Sequence, residues 1–523
     1  MKKRFILSIL ACFLILSACK EEDVPEPEIE DEDVNNPEEP QEQQEVKEAL
    51  EGPLTSEDYD ELWPDVTKLV WIVSNGATTD VDPEIYRKFN ELLLEKGANF
   101  VVEFIGKDTL DAEIYQKEIR EMKATGQQVD LLNTGFGTET IHTNIAAVED
   151  DLLEPLDAYL QTDDGKKLFN QFDEKAWERA SVKGTHYGLN SFPLLTTSIY
   201  LFFNQKITDA YDIQLPDELE DLEQVEDMLQ LVSDKSHDDL VPLYIEFEPK
   251  YLKELIGYDF LENGIAGGYD DDGNPYVFNP FEQSNITSLM ETLAHYSHQG
   301  YLLKDEEAGD MVYNGNFFAL VTSAWPMHYS EGILDMGSYS LEVVGYKLVD
   351  TFVVQLPNGI NGIASWSEHK DEAFQLLMLL NTDSELSNLL YHGIEGKHYT
   401  LVDGKMVPVD ESQRTPGYYS PANEMLTYPV EHEPVNKEEV YKEWNKNLQM
   451  SPIAGFDLDD SDISTELEAI KDIYEKYESL WTGDEQDLEN QLSKANEELQ
   501  KAGIDKVLDE INQQLKNWWE AKN

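Results

Sequence analysis

The side chains with the clearest binding chemistry are aromatic rings and polar groups placed where strand patterns end or loops begin. An aromatic ring packs well against a flat apolar face, and an amide or carboxylate oxygen accepts hydrogen bonds from hydroxyls. The candidates are Trp71, Asn75, Phe136, Tyr187, Asn190, Trp325, Tyr329, Trp366 and Glu395. Core packing is the alternative role for each ring, and capping or a turn is the alternative for Asn190 and Glu395.

Patterns of known catalytic or metal chemistry are missing from the sequence. There is no Gly-x-Ser-x-Gly elbow, phosphate-binding loop, His-Glu-x-x-His pair or cysteine metal spacing, so we expect no catalytic residue, cofactor or metal. His295 and His298 have helical spacing but no third ligand nearby in sequence, which favours an exposed surface. The acidic run 270–274 lacks the spacing of a calcium loop, which favours a polar turn. The chain has 107 acidic residues, so two of them acting as the catalytic carboxyl pair of a glycosidase is an alternative interpretation.

The N-terminus has the pattern of a secretion signal. Basic residues 2–4 precede an apolar run over 5–16, which is too short for a permanent membrane-spanning helix. The Leu-Ser-Ala-Cys that ends at Cys19 resembles the bacterial lipobox, which implies cleavage after 1–18 and a lipid anchor on Cys19. The alternative is an ordinary signal peptide with a chance cysteine. Because Cys12 leaves with the signal, we expect an extracellular protein without disulfides.

The charge balance excludes one class of partner. The chain carries 38 basic and 107 acidic residues, a net charge of −69, which repels nucleic acid. Such a charge favours a soluble monomer and is typical of proteins from salty or alkaline habitats. Residues 19–62 are rich in Glu, Asp, Pro and Gln, so we predict a disordered acidic tether between the anchor and the folded part.

Strand and helix patterns alternate along the first part of the folded chain. Apolar runs over 68–73, 99–105 and 129–132 predict strands, and the segments between them have helical spacing with start and stop residues. This alternation predicts a parallel sheet covered by helices, with ligands at the carboxyl ends of the strands. Apolar residues then recur at helical spacing over 463–518, where Gly483 and Gly503 separate three helices.

Several segments resemble the extracellular solute-binding proteins of carbohydrate ABC importers. The resemblance covers KGTHYGL at 183–189 with YLFFNQK at 200–206, NGNFFA at 314–319 with the following Trp325, and the stretch 362–386. Two departures are Asn190, near which the family has proline, and Phe203, where it has tyrosine. The YHGIEGKHY at 391–399 and the final stretch 474–518 resemble a Gram-positive lipoprotein branch with an added C-terminal helical region.

The resemblance implies a two-lobe α/β fold of the type II solute-binding class that closes around its ligand by a hinge motion. Its boundaries would be 64–196 plus 354–395 for lobe one, 197–353 plus 396–460 for lobe two, and 461–523 for a helical region packed on lobe two. Within this frame the candidate rings would contact the ligand, with Trp325 placed in the cleft by the family motif.

The resemblance also implies partners and a location. The ligand would be an oligosaccharide, delivered to the permease and ATPase subunits of an importer, and the lipid on Cys19 would hold the protein at the outer face of the cytoplasmic membrane of a Gram-positive bacterium. A secreted glycosidase, or a binding protein for a peptide or another solute, is the alternative function.

Overall fold

The computed structural model describes residues 54–522 apart from 110, 136–142, 191–193, 220, 237–239, 247–254, 262, 305, 337–339, 355–358, 410–414, 418–419, 484 and 486. The predicted leader, Cys19 and Phe136 therefore lie outside the described residues. In the described part of the chain, no helix combines the length and apolar character needed to cross a membrane.

The expected tether is shorter at its C-terminal end than the sequence suggests. Residues 56–62 were included in it, but Ser56–Leu62 forms a helix, α1. Thr55 caps this helix by accepting a hydrogen bond from the Asp58 backbone, while the Asp58 carboxylate accepts one from the Thr55 backbone. Reciprocal capping stabilises the first turn of a helix, so an acidic composition alone does not mark this stretch as disordered.

The remaining elements follow in the order of the chain. The other helices are α2 Pro83–Glu95, α3 Ala112–Thr125, α4 Thr143–Glu149, α5 Asp157–Leu160, α6 Asp163–Gln171, α7 Glu174–Ala180, α8 Gln205–Tyr211, α9 Glu226–Ser236, α10 Ser284–His298, α11 Glu306–Tyr313, α12 Lys370–Thr382, α13 Ser384–His392, α14 Lys437–Asn447, α15 Ser464–Lys476, α16 Leu488–Ala502 and α17 Ile504–Lys522. The strands are β1 Thr67–Ser74, β2 Phe100–Lys107, β3 Leu131–Asn133, β4 Gly188–Leu189, β5 Ser198–Asn204, β6 Val241–Ile245, β7 Asp259–Phe260, β8 Ala266–Tyr269, β9 Pro275–Phe278, β10 Leu302–Leu303, β11 Phe317–Ala324, β12 Tyr329–Ser330, β13 Ile333–Asp335, β14 Ser340–Asp350, β15 Asn361–Ile363, β16 Tyr399–Val402 and β17 Lys405–Pro408.

Lobe one is built on a five-stranded sheet of order β2-β1-β3-β15-β4. β1 runs parallel to β2 and β3, whereas β15 runs antiparallel to β3 and β4. Leu69 and Trp71 on one face join a core with α2 and α12, and Val70 and Ile72 on the other face join a core with α3. Both faces are covered, which explains why β1 reads as a continuous apolar run.

Lobe two is built on a larger mixed sheet of order β10-β6-β11-β5-β14-β13-β12. β6 runs parallel to β10 and β11, whereas β5 runs antiparallel to its neighbours β11 and β14. Phe203 on one face of β5 packs in the core that α9 and α10 complete, and Phe202 on the other face packs with the apolar side of α11. These two sheets confirm the predicted α/β class.

The segment after α13 corrects one expected boundary. The sequence places 396–460 in lobe two, but Met425 and Tyr441 are buried in the same core cluster as Leu69 of lobe one. His398 also lies 3.0 Å from the Asp82 carboxylate at the start of α2. The chain therefore stays in lobe one up to the end of α14, because the apolar side of that helix has its partners there.

The C-terminal helices pack on a small sheet of order β7-β8-β9 and on α10. Their inward side chains, including Ala495, Leu499, Ile511 and Leu515, are fully buried. Gly503, with φ of +92°, ends α16 in the left-handed conformation and lets α17 start at once, as the sequence predicts.

Three crossover segments join the lobes: the first from β4 to β5, the second from β14 to β15, and the third after α14. The hydroxyls of Thr196 and Thr351 hydrogen-bond at 2.5 Å between the first two. Val353 donates to the Gln449 carbonyl at 2.8 Å and accepts from the Ser451 amide at 2.8 Å, which joins the second to the third. The crossovers thus lie side by side and form one hinge.

Candidate functional site

The two sheets end in edges that the crossover segments connect. In lobe one, the edge holds the carboxyl ends of β1, β2 and β3, the start of β15 and the end of β4; we call it the lobe-one rim. In lobe two, it holds the carboxyl ends of β6, β10 and β11, the start of β5 and the end of β14; we call it the lobe-two rim. A cleft between such rims is where open α/β sheets bind ligands.

The lobe-one rim is lined with amide side chains. Asn75 is exposed in the turn after β1, and Asn190 is half-buried directly after β4. The Asn133 amide donates to the side-chain oxygen of Asn361 at 3.2 Å, while its own oxygen accepts from the Gly135 backbone at 2.8 Å. Amides that both donate and accept suit a ligand rich in hydroxyls.

The turn that carries Asn75 requires a glycine on the neighbouring strand. A Cβ atom at Gly106 would lie 1.9 Å from the Thr78 hydroxyl and 3.0 Å from the Asn75 Cα. The first contact is far inside van der Waals distance and the second is at its limit, so a side chain at this position would force the Thr78 hydroxyl aside and press on the turn. Gly106 therefore lets the end of β2 support the rim at backbone distance.

The lobe-two rim holds a carboxylate between two hydroxyls. Glu246, exposed at the end of β6, accepts from the Tyr313 hydroxyl at 3.0 Å and from the Thr322 hydroxyl. Tyr313 is 50% exposed. Tyr200 pairs with Thr322 across β5 and β11, and burial, with Asp350 and Tyr329 nearby, raises its pKa to about 12. Tyr200 thus stays a neutral phenol beside the exposed acid.

Trp325 lies directly after β11 and reaches both lobes. Its half-buried ring stacks on the His328 ring, with centroids 4.6 Å apart and planes at 24°. The same ring packs against the edge of the lobe-one core. A ring that is partly exposed and contacts both lobes is placed to respond to lobe movement.

Three expected ring positions are not on the rims. Trp71 is fully buried in the lobe-one core, because its side of β1 faces α2. Trp366 follows β15 at the opposite edge of the sheet, since β15 runs antiparallel to β3, and its indole donates to the Gln127 carbonyl at 2.9 Å. Tyr187 precedes β4 and packs against the core on the α3 face. The structure therefore gives Trp71, Trp366 and Tyr187 a structural role in place of the predicted contact with ligand.

The other predicted residues have mixed surroundings. Tyr329 packs its ring edge-on against Phe202 at 4.8 Å, and its hydroxyl accepts from the Gly345 backbone at 3.2 Å, so it supports the lobe-two rim from below. Glu395 is exposed in the loop after α13, paired through its backbone with Tyr399. The rims therefore bring together Asn75, Asn190 and Trp325, and their role in binding stays a prediction.

Several rim residues were not predicted from the sequence. Asn133 ends β3 just before the Thr134–Gly135 turn, so the strand-end rule that selected Asn75 could have found it. Glu246 likewise follows the apolar strand β6. Tyr313 gave no such signal, because only the folding of α11 over the sheet brings its hydroxyl to Glu246.

The two sequence patterns that resemble metal sites have other partners in the structure. His295 lies 2.6 Å from the Glu226 carboxylate at the surface. Asp270 accepts from the Asp272 and Asn274 backbones at 3.0 and 2.8 Å, which makes 270–274 a polar turn between β8 and β9. Across the described residues, no three His, Cys, Asp or Glu side chains are grouped to hold a metal ion.

Comparisons with known proteins agree with this architecture. A family model described as a domain of unknown function (DUF3502) matches residues 452–520. Over 465 residues, 86% of this chain and 90% of the relative, the sequence is 23% identical to the "Carbohydrate ABC transporter substrate-binding protein" of Streptococcus pneumoniae serotype 4.

Solved structures show the same fold. The N-glycan transport solute binding protein NgtS of Streptococcus pneumoniae matches with a TM-score of 0.68 at 20% identity, over 88% of this chain and all of that chain. Its complex with Man5GlcNAc matches with a TM-score of 0.54 at 19% identity, over 88% and 99%. The two-lobe solute-binding fold and the resemblance to carbohydrate ABC importer binding proteins are thus confirmed.

Proposed function

We propose that this chain is the extracellular solute-binding protein of an ABC importer and captures an oligosaccharide between its two lobes. The observation that carries the proposal is the pair of rims that the crossover segments connect, one with asparagine amides and one with Glu246, Tyr313 and Trp325. Rings can cover the apolar faces of sugar units while amides and the carboxylate bond the hydroxyls. The relative named as a carbohydrate substrate-binding protein and the glycan complex of NgtS support the same ligand class.

The proposal includes delivery and anchoring. The captured ligand would leave unaltered and pass to the permease and ATPase of the importer, so the protein is a binder and not an enzyme. Cys19 would carry a lipid at the outer face of the cytoplasmic membrane, which the lipobox-like Leu-Ser-Ala-Cys supports. Replacing Cys19 by Ser should release the protein from the membrane fraction, and a bound Cys19→Ser protein would contradict the anchor.

Thermal unfolding with a ligand panel tests the binding function. The panel holds Man5GlcNAc, shorter mannose- and glucose-containing glycans, and a set of peptides. A bound ligand stabilises the folded state by about 2.7 kcal/mol at a hundredfold excess over Kd, so at least one glycan should raise Tm by several degrees. Chromatography of the ligand released from the protein should show an unmodified glycan. Stabilisation by peptides alone, or a cleaved glycan, would overturn the proposal.

Two substitutions test the rims. Trp325→Ala and Glu246→Gln should each weaken binding of the glycan that the panel selects by about five- to hundredfold, because each removes or weakens a direct contact worth about 1–3 kcal/mol. Glu291→Gln is the matched control, since Glu291 is an exposed carboxylate on α10 away from the rim. Calorimetric Kd values equal to that of the control would remove these residues from the site.

A further inference from the structure

The C-terminal helical region, α15 to α17, has no role in the rims described above. It coincides with the family model described as a domain of unknown function. Its core with β7 to β9 and α10 is apolar and fully buried, so it is a fixed part of lobe two.

The region is connected to the hinge through Tyr269 of β8. The Tyr269 ring lies 6.1 Å from the Trp519 ring of α17 and 5.8 Å from the Phe352 ring on the second crossover, edge-on in both cases. Its hydroxyl donates to the Met450 carbonyl on the third crossover at 3.1 Å. Two of the three crossover segments thus contact the sheet that the C-terminal helices cover.

The last turn of α17 goes further and reaches lobe one. The Lys522 ammonium forms an ion pair with the Glu178 carboxylate on α7, and both side chains are only partly exposed. Among the described residues, this pair and the Asp335–His432 pair are the two ion pairs that join the lobes. Lys522 also lies 5.0 Å from the Trp518 ring centroid, which limits its freedom.

The position of Glu178 gives the contact a direction. α7 packs beside β4, the strand at the end of the lobe-one sheet farthest from β2. The crossovers leave from β4 and β15, so the strand order puts α7 at the hinge end of lobe one, away from β1 and β2, and we infer that the Glu178–Lys522 pair lies behind the hinge. When the rims approach each other, parts on the opposite side of a hinge move apart. Closure would therefore stretch this contact.

We propose that the C-terminal helical region acts as a strap that ties lobe two to lobe one behind the hinge, holds the cleft open and so lowers the affinity for ligand. The proposal rests on the proposed two-lobe binding function. A contact that exists only in the open form must break when ligand binds. The free energy of that contact is then subtracted from the free energy of binding, which lowers the apparent affinity. The strap thus sets how easily ligand is released as well as captured.

Distances between the lobes without ligand test the strap directly. The only natural cysteines are Cys12 and Cys19, so the full chain with both changed to Ser accepts two specific spin labels. Exposed Lys117 on α3 and exposed Asp310 on α11, each changed to Cys, place one label on each lobe. Pulsed electron paramagnetic resonance then gives the populations of open and closed lobes.

Lys522→Met should raise the closed population about two- to fivefold, the range expected for one partly exposed ion pair. Lys516→Met is the matched control, because Lys516 lies on the same helix but pairs with Glu520 at 4.0 Å. Lys522→Arg should behave like the wild type. The exchange of charges in Glu178→Lys with Lys522→Glu should restore the wild-type distances, which a general loss of stability would not do.

Affinity provides the second readout. With Man5GlcNAc, or whichever glycan the thermal panel selects, Lys522→Met should lower Kd by the same two- to fivefold. The charge exchange, Glu178→Lys with Lys522→Glu, should restore the wild-type Kd. An unchanged distance distribution, or a change that Lys516→Met shares, would overturn the strap. Loss of affinity in Lys522→Met would also overturn it. If no glycan binds, the binding function fails, while the ligand-free distances still decide the strap.

Discussion

Buried ionisable side chains are concentrated in one part of lobe one, around α13 and α14. The Lys437 ammonium lies 3.2 Å from the Glu424 carboxylate and 3.0 Å from that of Glu433, and all three groups are buried. Burial raises the pKa of Glu424, with Lys437 acting against it. His392 is buried nearby, and its ring nitrogen Nε2 lies 3.0 Å from the Tyr428 carbonyl. Such groups connect the stability of this lobe to pH.

His392 should make the fold sensitive to acid. Burial, with the charge of Lys437, lowers the pKa of His392 from 6.5 to about 4. The unfolded chain therefore takes up a proton near pH 6.5 that the folded chain refuses until about pH 4, so the free energy of unfolding falls across this window as pH falls. When the pH is lowered from 7 to 4.5, the free energy of unfolding measured in urea should fall by about 2–3 kcal/mol less for His392→Gln than for the wild type.

The exposed His298 supplies the control for this prediction. His298→Gln should keep the full pH dependence of the wild type, because its side chain is in water in both states. If His392→Gln and His298→Gln had parallel stability curves, His392 would not carry the acid sensitivity.

The sequence predicted where a side chain lies along an element better than which way it faces. Asn75 and Trp325 follow strands, and both are on the rims because the ends of parallel strands share an edge. The prediction for Trp71 failed because a strand that is covered on both faces has no alternation of apolar and polar residues to show which side is exposed. Trp366 failed because the antiparallel direction of β15 is a tertiary property.

One contact between elements of different lobes depends on a histidine. Asp335 of β13 and His432, in the loop before α14, approach to 3.3 Å. The hydrogen bond with Asp335 raises the pKa of His432, with burial acting against it and with Glu433 and Lys405 as the other charged groups facing it. The pair is thus fully formed below the ordinary pKa of 6.5 and is lost as pH rises through the raised value.

Asp335→Asn should lower the pKa of His432 to or below 6.5, because it removes the carboxylate that favours the charged ring. Titration of the imidazole signals by NMR measures this directly. Glu331→Gln, a change of an exposed carboxylate on the same hairpin, should leave His432 as it is in the wild type. A His432 signal that titrates identically in all three proteins would show that the two lobes do not meet here in solution.

Elements were predicted well where a local signal marked their ends. The strand predicted over 68–73 is β1, Thr67–Ser74, and the helical segment predicted between the second and third strands is α3, which ends at Thr125 just before Gly126. The assignment of 396–460 to lobe two failed for a different reason. Helix α14 is amphipathic in sequence, but nothing local says that Tyr441 packs beside residues from the start of the chain.

The whole molecule is dominated by like charge. The net charge of −69 belongs to a chain whose described ion pairs are mostly exposed, such as Lys501–Glu497 and Lys167–Asp164. Exposed pairs contribute about 0–1 kcal/mol each, so they offset little of the mutual repulsion. The compact state keeps these charges closer together than the unfolded chain does.

Added salt should therefore stabilise the protein. Screening shortens the range of repulsion from about 30 Å at 10 mM to about 3 Å at 1 M, so Tm should rise by several degrees between these NaCl concentrations. Calorimetry with NaCl and with choline chloride separates screening, which both salts provide, from specific sodium binding. A Tm that stayed level or fell in both salts would show that repulsion does not limit the stability.

The two-lobe plan itself was available from the sequence, since motifs spread over most of the chain resemble one family. The third crossover was not, because its short run beside Val353 has no pattern of its own and is defined by its hydrogen bonds to the second crossover.

The assembly of lobe one from distant stretches has a consequence for how the protein reaches its native state. Leu69 of β1 and Tyr441 of α14 occupy one apolar cluster. The strands that are synthesised first therefore lack part of their packing until most of the chain has been translated. Contacts of such high sequence separation form slowly. The core of lobe one therefore stays incomplete until α14 has been made, and its apolar strands need protection from aggregation until then.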